Sequence, residues 1–379
     1  MAPLLFLVGI FFLNFLSRII LSPLMPTVEK ELNVGHDEAG SLFFMISLGY
    51  CIGLLFSGFI SSRLTHRRTI LLSSIALGGA LIMVSISHHL WMIRFGLTFL
   101  GMAAGFYLPS GIATVTELVR PEHWGKAIAI HELAPNLAFV MAPLLAEALL
   151  GVFSWRGVLM LSGIASMVSG VVFIIFGSGG GFPGEAPNVS TLRIILKEPS
   201  FWIMMALFSL GIGASFGVYT MMPLYLVAEK GIDRTWANTF IAFSRILTLG
   251  SSILAGWITD RIGPRKTLMG VFMTTGIITI LLGLVPGSWI ILTVFLQAIL
   301  ATSFFPAGFA ALSQIGSRKI KNVAVSLTVP VGFLLGGGVI VAGIGIMGQM
   351  GSFSLGFILF GGILLLGVLL ARSLRFTKD

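Results

Sequence analysis

The chain has 379 residues, of which 56% are hydrophobic and 10% charged, and its mean hydropathy is +1.03. Soluble domains carry about 25% charged residues, so the composition excludes an ordinary soluble fold and implies a lipid-embedded one. The formal charge of +9 lies in short loops between apolar runs and not in an interleaved basic and aromatic patch, which argues against a nucleic-acid partner.

In chain order, Met1-Ala2-Pro3 runs straight into Leu4 without a basic leader, and the apolar run is too long for a signal peptide. It reads as a retained first helix. Apolar stretches of about 20 residues fall near 4–25, 40–62, 69–87, 90–116, 125–149, 155–177, 200–227, 235–259, 266–285, 289–313, 322–347 and 351–371. The expected class is an all-α membrane protein with twelve transmembrane helices. Internal prolines (Pro109, Pro135, Pro143, Pro223, Pro306, Pro330) are of the kind membrane helices tolerate. The only cysteine, Cys51, lies inside a span, so no disulfide framework, metal cluster or redox pair is expected. The Gly- and Pro-rich segment Ser178–Ser200 reads as a midpoint linker. It divides the chain into an N-terminal six-helix half over 1–177, a cytoplasmic linker over 178–199 and a C-terminal half over 200–379.

Twelve spans sort the basic residues by side. Sixteen of the 23, including Arg63, Arg67, Arg68, Arg120, Lys126, Arg193, Arg261, Arg265, Lys266, Arg318, Lys319, Lys321, Arg372 and Lys378, fall on one side, and only Lys30, Arg156, Lys230 and Arg234 on the other. By the positive-inside rule both termini are cytoplasmic, and a bacterial inner membrane is the expected location. The remaining three, Arg18, Arg94 and Arg245, lie within spans.

The chain also repeats itself. Phe106-Tyr107-Leu108-Pro109-Ser110-Gly111-Ile112-Ala113 matches Ser303-Phe304-Phe305-Pro306-Ala307-Gly308-Phe309-Ala310, with Pro109 and Pro306 197 apart. Lys126 and Pro135 match Lys321 and Pro330 at 195, and Gly58…Arg63…Arg67-Arg68-Thr69 matches Gly256…Arg261…Arg265-Lys266-Thr267 at 198. Such duplication points to two pseudo-symmetric six-helix halves with a site at their interface.

The run Gly256-Trp257-Ile258-Thr259-Asp260-Arg261-Ile262-Gly263-Pro264-Arg265-Lys266-Thr267 resembles the cytoplasmic loop signature of the major facilitator superfamily. In the N-terminal copy Ser62 replaces the acid and Thr65 the glycine. The resemblance implies a gate latch formed by Arg63, Asp260, Arg261 and Arg265, with Asp260 carrying more of it than the degraded copy. A weaker resemblance is to the anion:cation symporter or organic-anion branch. Its first helix typically reads Asn-Tyr-x-Asp-Arg, here Asn14-Phe15-Leu16-Ser17-Arg18. Its fourth carries Gly-x-x-Glu-Gly before a proline, here Gly101-Met102-Ala103-Ala104-Gly105 before Pro109. The arginine is kept, but both carboxylates linked to proton coupling in that branch are absent (Ser17, Ala104).

A charge at membrane depth costs roughly 2.5–3.5 kcal/mol on insertion scales, so Arg18 and Arg245 are the leading candidates for substrate contact. Arg18 lies roughly 21 Å into the first helix at 1.5 Å per residue, past the midplane, and Arg245 near the midplane. Two guanidinium forks suit a carboxylate or nitrate-like anion. The alternative is that each bonds a helix-end carbonyl or a neighbouring carboxylate. Arg94, close to a helix end, can snorkel. Asn14, Tyr107, Tyr219 and Gln297 are further candidate substrate contacts, although such residues are more often helix–helix hydrogen bonds. His131 and Glu132 are candidate proton-coupling groups, the alternative being a polar packing patch.

No Walker loop, metal-ligand spacing or nucleophile elbow appears, so no enzyme activity, cofactor or metal is expected. The reading is a monomeric secondary active transporter that moves a small organic or inorganic anion by alternating access, coupled to protons or a counter-anion. The alternative is a proton-driven exporter of hydrophobic or cationic compounds, which would favour a buried acid where Arg18 stands.

Overall fold

The computed structural model describes residues 2–185, 195–315 and 318–376. Arg193, Lys378 and residues 186–194 of the expected linker lie outside the described residues, as do the side chains of Arg318, Lys319 and Lys321. Among the described residues, twelve helices are long and apolar enough to cross a membrane. They are α1 (Pro3–Leu32), α2 (His36–Arg63), α3 (His66–Ile86), α4 (Leu90–Glu117), α5 (Pro121–Leu150) and α6 (Trp155–Phe176), then α7 (Pro199–Glu229), α8 (Arg234–Ile262), α9 (Pro264–Leu284), α10 (Trp289–Leu312), α11 (Ala324–Gln349) and α12 (Phe353–Arg372). The protein is an integral, multi-pass membrane protein. Helix α1 runs on past residue 25 to Leu32, and Asn33 closes it in the left-handed conformation (φ 51°). Arg18 therefore stands at the middle of a 30-residue helix, not toward its far end.

Several helices are interrupted; the break of α8 at Leu247 has no proline near it, but four others share one cause. Breaks at Ile20, Phe106, Glu132 and Ser303 each fall three residues before a proline: Pro23, Pro109, Pro135 and Pro306. Proline offers no N–H to the carbonyl four residues earlier and its ring crowds that carbonyl. The backbone accordingly opens one residue after the orphaned carbonyl. Pro143 and Pro330 lie inside continuous helical segments, so a proline permits this break without enforcing it. Helix α7 departs differently, with π-helical turns at Gly213–Gly217 and Tyr225–Glu229 that flank Pro223.

The chain forms two compact units, one of Met1–Asn33 with Met45–Pro187 and one of Val34–Phe44 with Asn188–Asp379. In the first unit, α2 and α4 meet along a glycine seam. A Cβ on Gly49 would strike the Thr98 carbonyl, one on Gly53 the Met102 carbonyl and one on Gly101 the Ile46 carbonyl. The two backbones are thus in direct contact, as small-xxx-small pairs allow. Gly101 and Gly105, which resembled a transport motif in the sequence, are packing residues. In the second unit the corresponding helices are α8 and α10, where Ser251 and Thr302 stand in for Gly53 and Gly105. Their hydroxyls lie 3.2 Å apart. The α3–α6 contact repeats more faithfully: Gly78 backs onto the Gly163 carbonyl, and Gly276 onto the Gly361 carbonyl, each partner 198 residues on.

One end of each unit is pinned by a glutamate. Glu31 accepts from the Trp155 indole (2.8 Å) and Arg156 Nε (3.0 Å), while Arg156 also reaches the Ser85 and Ser87 carbonyls at the end of α3. In the second unit Glu229, 198 residues later, accepts from the Ser354 amide and hydroxyl at the start of α12. Glu31→Gln keeps the shape but removes the charge. It is expected to lower unfolding stability by about 1–2 kcal/mol, since hydrogen bonds to charged groups contribute about 1.5–3 and this carboxylate is half exposed. A thermal melt of the detergent-purified variant measures it.

After α6 the chain turns back over the first unit. Gly179 and Gly180 take positive φ (84° and 72°), which a side chain would disfavour. The Gly180 amide donates to Glu117 (2.5 Å), the Arg67 amide to the Gly180 carbonyl (2.7 Å), the His66 amide to the Phe182 carbonyl (3.1 Å) and the Gly184 amide to the Ser61 carbonyl (2.8 Å). This part of the expected linker is a strap across the α2–α3 connection.

Candidate functional site

Among the described residues each unit holds one deeply buried arginine, and each of these lies over a tyrosine ring. In the first unit the Arg18 guanidinium sits 3.5 Å from the Tyr50 ring centre and 5.2 Å from that of Phe15. Arg18 is 1% exposed and Tyr50 2%. In the second, Arg245 stands 4.7 Å from the Tyr219 ring centre and donates from Nη2 to the Ser215 carbonyl at 2.9 Å. Cation–π contacts of this kind gain strength when desolvated, reaching about 2 kcal/mol. The partners are exchanged between units. The arginine comes from the first helix and the tyrosine from the second in one unit, and the reverse holds in the other.

The π-helical turn of α7 explains how Arg245 is held. In this widened turn the Ala214 and Ser215 carbonyls each accept from a side chain. Gln297 Nε2 donates to Ala214 at 2.8 Å, beside the Arg245 bond to Ser215. Both residues thus donate to backbone carbonyls of α7. They also line a narrow cleft together with Tyr219, Met222, Ile241, Ser244, Val294 and Ala298.

The other expected residues of the first unit form a connected set. Asn14 donates to the Ala104 carbonyl (3.3 Å) and to Ser73 (3.5 Å), so it ties α1 to α4 and α3. The Tyr107 hydroxyl donates to the Leu7 carbonyl (2.8 Å) and lies 3.1 Å from His131 Nε2. Its single proton is used on Leu7, so Nε2 must be the donor in the second bond. His131 is fully buried, stacked on Phe11 at 4.5 Å, with Nδ1 3.5 Å from the half-exposed Glu132 carboxylate. Glu132 occupies the helix break before Pro135. Ser110 and Thr114 hold His66 and the α4 backbone.

The expected gate residues are exposed. Arg63 and Asp260 stand at the ends of α2 and α8, and among the described residues Asp260 has no hydrogen-bond or ion-pair partner. Arg261 packs 3.8 Å from the Trp257 ring centre, and Arg265 donates to the Arg372 carbonyl. Arg94 lies 4.9 Å from the Trp91 ring centre. Tyr50 was missed in the sequence. The available signal was scarcity: the chain has four tyrosines, and Tyr50, Tyr107, Tyr219 and Tyr225 are all buried rather than placed in an interfacial belt.

The Major Facilitator Superfamily model matches residues 7–269. The chain belongs to the Major Facilitator Superfamily. A Na(+), Li(+), K(+)/H(+) antiporter from Planococcus maritimus is 24% identical over 62% of this chain and 59% of its own length. The cis,cis-muconate transport protein of Acinetobacter baylyi is 22% identical over 87% and 86%. Among solved structures, a bacterial homologue of the human lysosomal transporter Spinster superposes with a TM-score of 0.86 at 14% identity, covering 100% of this chain and 98% of that one. The superfamily's members and this fold are those of transporters, not enzymes.

Proposed function

We propose that this superfamily member moves a small organic or inorganic anion across the bacterial cytoplasmic membrane by alternating access, with both termini inside. Residues 1–177 and 200–379 would act as the two halves, joined by 178–199. The sign of the buried charge carries this reading. Among the described residues no Asp or Glu is buried, and the buried side chains with a permanent charge are Arg18 and Arg245. A carrier of cations needs a carboxylate at depth, whereas buried guanidinium groups suit an anion. The muconate relative, whose named cargo is an organic anion, agrees with this, as does the arginine in the Asn14–Arg18 text of the anion branch. The antiporter relative favours the second reading, export of a cationic compound against protons.

Uptake of labelled carboxylates and inorganic anions into proteoliposomes separates the two. Wild-type protein is expected to accumulate an anion and Arg18→Ala to lose that uptake. Cation counterflow without any anion uptake would replace this reading with the second. Arg63, Asp260, Arg261 and Arg265 are proposed as gate residues from the superfamily signature.

His131 and Glu132 are proposed as the coupling pair, because the imidazole Nδ1 and the carboxylate lie 3.5 Å apart at the helix break of α5. Glu132→Gln is expected to abolish the response of uptake to a pH gradient while anion exchange at equal pH persists. Undiminished gradient-driven uptake in that variant would remove the pair from the mechanism.

A further inference from the structure

The cleft of the second unit is layered. Tyr219, Arg245 and Gln297 come from α7, α8 and α10, and each has an apolar companion about one turn away on the same helix: Met222, Ile241 and Val294. Helix α7 runs toward the Lys230–Asp233 connection and α8 runs back from it, and α10 repeats the direction of α8. All three apolar companions therefore lie on the same side of the polar residues, toward that connection. The cleft thus has a cationic polar layer and, one 5.4 Å turn above it, an apolar layer.

We infer that this cleft takes a monocarboxylate with a short apolar tail in preference to an inorganic oxyanion, an inference that rests on the anion reading above. A carboxylate presents its oxygens at one end and can direct them at Arg245 while its tail enters the apolar layer. Nitrate or phosphate carries oxygens on every side. Some of them would face Met222, Ile241 and Val294, where a buried charged oxygen finds no hydrogen bond and loses its hydration. Gln297 and Arg245 already donate to the Ala214 and Ser215 carbonyls, so the polar layer is not arranged to surround an anion.

The test is a binding series on the purified full-length protein by thermal shift, with nitrate, inorganic phosphate, acetate, butyrate, hexanoate and benzoate. From acetate to hexanoate the affinity is expected to rise about fourfold per methylene until the layer is filled, with nitrate and phosphate no better than acetate. Val294→Ser and Ile241→Ser are expected to flatten that chain-length dependence. The inference is overturned by nitrate or phosphate binding at least as tightly as hexanoate, or by an unaltered chain-length dependence in both variants. Those outcomes leave the anion reading intact. If no anion binds, or if Arg245→Gln binds hexanoate as well as wild type, both the inference and the role of Arg245 in the anion reading fail.

Discussion

Arg245→Ala is expected to reduce anion uptake at least about thirtyfold, because truncating one member of a buried charged contact costs roughly 2–5 kcal/mol. The side chain is 3% exposed, so water cannot readily replace it. Stability should fall far less, by about 1–3 kcal/mol for the bond to the Ser215 carbonyl, and the variant should still purify as a folded protein. Arg245→Lys keeps the charge but loses the planar fork that reaches Ser215 while lying over Tyr219. It is expected to bind anions more weakly than wild type and to transport better than the alanine variant. Proteoliposome uptake and anion-dependent melting, read together, separate transport from folding. Uptake at wild-type rates in Arg245→Ala would show that this arginine only braces the π-helical turn.

Gly53→Val should have the opposite signature, a loss of folding before any loss of transport chemistry. A Cβ at Gly53 falls against the Met102 carbonyl, and a branched side chain adds two more methyl groups where α2 and α4 touch. Overpacking typically costs about 1–3 kcal/mol, and here the obstacle is rigid backbone, so more than about 3 kcal/mol is expected. Gly53→Ala should be milder but measurable. The seam also positions Tyr50, since Gly101 packs against the Tyr50 amide. Any Gly53→Ala protein that folds should therefore bind anions less tightly through a displaced Arg18. The checks are the yield of monodisperse protein, its melting temperature and the anion-induced shift. A Gly53→Val protein that melts like wild type would refute the seam.

The twelve helices were legible because lipid imposes a length and a hydropathy that no other constraint in this chain mimics. The duplication was legible in Pro109 and Pro306 and in the Gly256–Thr267 loop, and the structure extends it to Glu31 with Glu229. Helix α1 passes the expected end at residue 25 and runs through Pro23 and Pro26 to Leu32. A proline deprives only the carbonyl four residues back, and the helix resumed. Candidate residues such as Tyr107 and His131 could be named, but not their contact, because it depends on a helix break that swings α5. The Tyr50 partner of Arg18 lay beyond sequence spacing altogether, set by the close approach of α2 to α4. The strap of residues 177–184 was read as plain linker because its contacts are made by backbone groups, which composition does not report.

The seam between α2 and α4, and its counterpart between α8 and α10, bear on how a tandem duplicate drifts. Gly53 with Gly105 is one compatible pair, and Ser251 with Thr302 another. A mixed pair would set a hydroxyl against bare backbone or leave one hydroxyl without its mate. Divergence at such a position has to proceed two residues at a time, or through a tolerated small intermediate. Once it has done so, the daughters can no longer trade helices. The second helix of one half has become a part that fits only its own neighbour, and the ancestral interchangeability of the halves has been lost at this joint.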